Sequence, residues 1–230
     1  MLKALKELWT HSSIMPQAVE ELADMLANSA AVYRSAWGVC AGEAVADKVK
    51  ASLTEHDRDV NKGERSIRRM LVEHLNINPA HDVSGALAVM NMAKDIERIG
   101  DYSRNIYGIA SRLDRPGSEL ALFEDMKGIH QQLESYFPKL ERAIRDSNEN
   151  IAHEILENYQ NSKKDLKALQ KKLFQTEMPV REAVASALLT QCFVRINAHL
   201  GNTASGLVFP LENIDFVSRG LREEANEPVE

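Results

Sequence analysis

Two carboxylates stand where an apolar helix stripe ought to continue. Val89, Met92, Ile96, Ile99, Ile106, Ala110 and Leu113 recur at helical spacing, so they form the buried face of one long helix. Beside them runs a second stripe of Ala86, Met90 and Ala93, continued at the same spacing by Glu97 and Asp101. Acids in so nearly buried a place need a cation, a hydrogen-bond donor or a proton. Gly100 lies between them, where glycine costs about 1 kcal/mol against alanine in a helix interior. Its presence predicts that another backbone or a bound group comes close.

That helix is one of a series. Ala, Leu, Glu, Lys and Arg recur throughout and aromatic residues are only 6%, as befits long helices. Residues 2–9 read as a short amphipathic helix. Pro16 suits the first turn of the next, whose inner face is Val19, Leu22, Met25, Leu26, Ala30 and Tyr33, with a break at Gly42. A second long helix is expected over 43–76, facing the core with Val45, Val49, Leu53, Val60, Ile67, Met70, Leu71 and Leu75. A turn follows at 76–80, Asp82 caps the acid-bearing helix, and that helix runs to about Leu113.

Asp114-Arg115-Pro116-Gly117 is the strongest linker signal, and after it the layout starts again. A fourth helix is expected over 119–146, with Leu122, Met126, Ile129, Leu133, Phe137, Leu140 and Ile144 inward and a kink at Pro138. A turn at 147–150 leads to a fifth, lined by Ile151, Ile155, Tyr159, Leu166, Leu169 and Leu173 and running to about Phe174. Met178-Pro179 ends it, a sixth begins near Val180, and Pro210 predicts a kink or break there. The chain therefore reads as all-α, a tandem pair of three-helix bundles over 1–114 and 119–222, the second degenerate, with a disordered acidic tail at 223–230.

Charge and motif content narrow the function. A net charge of −6 argues against a nucleic-acid surface, and the Arg65, Arg68 and Arg69 cluster reads as a solvated helix face. Cys40 and Cys192 are far apart in apolar helical contexts, as packed thiols of a reducing compartment are. The most apolar stretch, 183–194, is too short and too polar to span a bilayer, and no signal peptide is read at the start, so a soluble cytoplasmic protein is expected. No histidine follows a glutamate by three positions, which removes the ferritin-type carboxylate enzymes. Neither a phosphate-cradling glycine loop nor H-E-x-x-H nor a nucleophile motif occurs, so binding and regulation remain rather than catalysis.

Glu97 and Asp101, four residues apart on one helix, can share a metal ion such as iron, zinc, manganese or magnesium. They can equally pair with Arg98, Arg68 or water on a solvated face. The run Ile96-Glu97-Arg98-Ile99-Gly100-Asp101, with Asn105-Ile106 after it, resembles the signature of the PhoU family. That resemblance implies two three-helix repeats, metal binding through E/D-x-x-x-D motifs, and negative regulation of phosphate uptake and signalling. It adds Asp57 and Asn61 on the preceding helix as partner ligands, with Glu64 and His56 nearby, for a metal ion such as iron or zinc. It also implies contact with a phosphate-transporter ATPase or a sensor kinase, peripheral to the membrane, and a homodimer is expected.

Two alternatives stay open: an accessory protein of another transporter, for sodium/phosphate or potassium, and a helical scaffold without metal. The second half departs from the signature. Aligned on Gly201, Ala198 replaces the glutamate, Asn202 the aspartate and Gly206 the asparagine, while Lys163, or Glu157 in another register, stands opposite Asp57. His199 and Asn202 are weak substitutes for two carboxylates, so only the first half is expected to hold metal.

Overall fold

Helix ends in this chain follow from signals a few residues long. A computed structural model describes residues 14–77 and 83–217, and among them are six long helices and no strand. They are α1 (Ile14–Ala41), α2 (Ala46–Ile77), α3 (Val83–Ala110), α4 (Phe123–Arg145), α5 (Glu149–Leu173) and α6 (Val180–Val208), with single 3-10 turns at Gly117–Glu119 and Leu211–Asn213. The expected helix at 2–9, Pro79, the cap at Asp82 and the tail lie outside the described residues.

Gly42 ends α1 with a φ of 81°, a left-handed conformation that glycine adopts without strain. The Glu43 amide donates to the Gly38 carbonyl at 2.8 Å and the Gly42 amide to Val39 at 3.2 Å, the paired bonds of a Schellman cap. Ser147 closes α4 the same way at φ 47°, with its amide on Ile144 and that of Asn148 on Ala143. The Asn148 side chain then accepts from the Asn150 and Ile151 amides and starts α5. Pro210 follows the end of α6 and begins the turn at Leu211–Asn213, so the break expected there is present.

Packing is threefold on each side and continuous between them. α1 lies against α2, α3 and α4; α3 against α1, α2 and α6; α6 against α3, α4 and α5. A single apolar core results, running from Met15 on α1 through Ile96 on α3 and Phe137 on α4 to Phe193 on α6. The linker folds back over the end of α1. There a Cβ on Gly117 would lie 2.4 Å from the Cys40 carbonyl oxygen, so this glycine is a steric requirement.

Three expectations need correction. Val45 precedes α2 and is 59% exposed, because the cap after Gly42 turns it away from the core. The fourth helix starts at Phe123 rather than 119, since residues 117–119 form a separate 3-10 turn. Pro138 lies inside α4, which runs on to Arg145. Gly100, finally, is not forced by a close neighbour. A Cβ there would meet only the Ser29 hydroxyl at 3.6 Å and Val60 at 3.8 Å, ordinary contacts.

Candidate functional site

The acids of α2 and α3 face one another across the groove between those helices. Asp57 and Glu64 are buried on α2, and the Glu97 and Asp101 side chains on α3 are 11% and 34% exposed. The apolar stripes that pack α2 on α3 carry these carboxylates to the edge of the core, as their spacing requires. Burial raises the pKa of Asp57, and the charges of Asp101 and Glu97 push the same way, against Arg104, which lowers it. Three of the four carboxylates thus repel one another at a site only partly open to water.

Cations from the same two helices offset that repulsion. Arg104 Nη1 lies 3.0 Å from Asp57 Oδ2 and Arg98 Nη1 2.9 Å from Asp101 Oδ2. Lys94 lies 2.8 Å from Glu97 and 3.7 Å from Glu64, and Arg68 lies 2.6 Å from Glu64. All four are long side chains between 42% and 51% exposed, so each bond is exchangeable with water. Asn61 donates its side-chain amide to the Asp57 backbone carbonyl at 2.8 Å, which leaves its amide oxygen as an acceptor. His56 turns the other way, to Asn28 on α1 at 2.8 Å, and does not join the acids.

As a donor set, Asp57, Asn61, Glu97 and Asp101 suit a hard cation: three carboxylates and an amide oxygen, with no nitrogen or sulfur. As the side chains stand, Arg104, Arg98 and Lys94 occupy all three of those carboxylates. Among the described residues no three His, Cys, Asp or Glu side chains converge closely enough to hold an ion. An ion would enter by displacing half-exposed guanidinium and ammonium groups, not by filling a ready cage.

The second half uses its signature position differently. His199 Nδ1 lies 2.6 Å from Asp95 Oδ1 and the Asn202 amide donates to the same oxygen at 3.3 Å. The His199 ring stacks on Tyr102 of α3, centroids 5.8 Å apart. Asp95 is buried, and burial raises its pKa although His199 and Asn202 oppose the rise. These residues therefore bind α6 to α3. Lys163 does not face them: its ammonium sits 5.8 Å over the Tyr159 ring, and Glu157 is exposed. A second buried acid, Glu182 at the start of α6, accepts from Arg115 and from the Ala121 amide at 2.6 Å each, tying the linker down. Sequence reasoning missed Asp95 and Glu182. Asp95 stands two places before Glu97, on another face of α3, and no local pattern names a partner 104 residues away.

Known proteins resemble this chain in one domain and in fold. Residues 42–110, which hold Asp57, Asn61, Glu97 and Asp101, match the PhoU domain model. The crystal structure of PhoU from Pseudomonas aeruginosa is similar at 17% identity with a TM-score of 0.75, covering 90% of this chain and 98% of that one. The phosphate transport system regulatory protein PhoU from Streptococcus pneumoniae is similar at 18% identity with a TM-score of 0.66, covering 87% and 97%. No curated protein matches the chain. No described helix is long and apolar enough to cross a membrane.

Proposed function

We propose, taking as premise that residues 42–110 carry a PhoU domain and the chain the PhoU fold, that this protein is a negative regulator of phosphate uptake and phosphate signalling. It works in the cytoplasm by contact, as a homodimer, with the ATPase of a phosphate transporter or a sensor kinase, and does not turn over a substrate. The two helix triplets are tandem repeats, and only the first holds metal. The observation that carries the reading is that the matched domain includes the whole acid signature, while the same fold extends over the half the domain model does not cover.

Asp57, Asn61, Glu97 and Asp101 are the residues that would hold the metal. Their oxygen-only chemistry favours iron, manganese or magnesium over zinc, which prefers nitrogen and sulfur. Bound there, an ion supplies positive charge that clamps α2 to α3. The chain's own part is to present the carboxylates at the groove edge and to keep exchangeable cations beside them.

The reading is tested by deletion in the source organism and return of the gene. Phosphate uptake, or a phosphate-starvation reporter, should rise in phosphate-rich medium on deletion and fall again on complementation. No change in either, with altered sodium or potassium handling instead, would replace this reading by that of an accessory protein for another transporter.

A further inference from the structure

Bordering the acid groove, and sharing Asp101 with it, is a cavity of different character. Its volume is about 530 Å³ and it opens between α2 and α3, lined by residues of 50–54 and 98–108. Lys50, Arg98 and Arg104 face it with the carboxylate of Asp101, and Asp57 pairs with Arg104 beside it, so three positive charges less two negative leave +1 there. The chain as a whole carries −6, which makes a positive concavity an exception to its general repulsion of anions.

Donor capacity at this wall exceeds its use. Arg104 commits one nitrogen to Asp57 and Arg98 one to Asp101, out of five N–H donors on each guanidinium. Lys50 has no ion-pair partner among the described residues, and the Tyr102 hydroxyl and Asn105 amide have no hydrogen bond there. Two planar forks, an ammonium, a phenol and an amide around one hollow match the several oxygens of a phosphoryl group, which guanidinium groups hold in paired bonds. Leu53 and the Tyr107 ring supply apolar wall beyond the charges, so the hollow has room for an organic body as well as for the free anion.

We propose that the cavity between α2 and α3 binds a phosphoryl group, presented as inorganic phosphate or on a small organic phosphate, through Lys50, Arg98 and Arg104. Because the same two arginines neutralise Asp57 and Asp101, the bound anion draws on the groups that hold the acid groove together. The site shares Asp101 with the proposed metal set, so its test is run on metal-free protein in chelator.

The experiment titrates the full chain with inorganic phosphate and, separately, with AMP, at fixed ionic strength, following backbone amide resonances. Saturable shifts confined to residues 50–54 and 98–108 are expected, with Lys50→Glu weakening binding about tenfold or more at a surface position that leaves folding intact. Binding of phosphate identifies the free anion as sufficient; binding of AMP alone identifies an organic phosphate. The proposal is overturned if neither probe does more than matched sodium chloride, or if Lys50→Glu binds as well as the parent. It is equally overturned if the shifts gather at the acidic cavity of Glu124, Asp125 and Asp165 between α4 and α5.

Discussion

Gly100 on α3 and Gly201 on α6 are the glycines on which the two halves align in sequence, and their surroundings are opposite. Around Gly100 the helix carries Glu97 and Asp101 outward into half-exposed ion pairs, and the glycine itself has room to spare. Around Gly201, His199 and Asn202 turn inward to a buried aspartate of α3, and a Cβ on the glycine would lie 2.8 Å from the Tyr159 ring. One half keeps charge at the water's edge, where it can be exchanged. The other places its polar side chains at a joint between α6 and α3.

The contrast breaks first on metal content. In protein purified without chelator, Glu97→Ala with Asp101→Ala is expected to abolish bound metal by elemental analysis. It should lower thermal stability only when metal is supplied, because only then is a ligand lost. His199→Ala with Asn202→Ala should leave the metal content per folded chain unchanged. Metal retained by the first pair, or lost with the second, reverses the assignment of the halves.

Stability sharpens the contrast next. His199→Ala removes the main partner of buried Asp95, a change on the order of 3 kcal/mol, or roughly 6–12 °C in a chain of this size. Protonation of Asp95, whose pKa burial already raises, limits that loss. Arg98→Ala breaks pairs with a half-exposed cation, worth at most about 1 kcal/mol. Equal midpoints for the two variants in thermal melts would show that both sites are built alike.

A third measurement separates the glycines themselves. Gly201→Ala forces the Tyr159 ring to shift and should cost about 1–3 kcal/mol. Gly100→Ala meets only ordinary contacts and should stabilise α3 by up to about 1 kcal/mol, the helix preference of alanine over glycine. Urea denaturation of both variants measures the difference, and a destabilised Gly100→Ala would mean that something else occupies that space in solution.

Much of this was legible in the chain, for local reasons. Helical periodicity placed Val89, Met92, Ile96, Ile99 and Ile106 in the core and Glu97 and Asp101 at its edge, because a helix face is set by spacing alone. Gly42, Pro116-Gly117, Asn148 and Pro210 marked ends and turns, since each acts through its own backbone or first neighbours. Val45 failed for the complementary reason: its helical spacing was correct, but the cap before α2 had already taken it out of the pattern.

What the tertiary structure alone decided is every contact between residues far apart in sequence. Arg104 meets Asp57 across 47 positions, Asp95 meets His199 across 104, and Glu182 reaches back 67 to Arg115. Electrostatic partners are chosen by which helices share a groove, and helix packing depends on the whole core. So the sequence by itself determined which side chains could be chemical, while the fold decided whether each faces a cation, a buried histidine or a cavity.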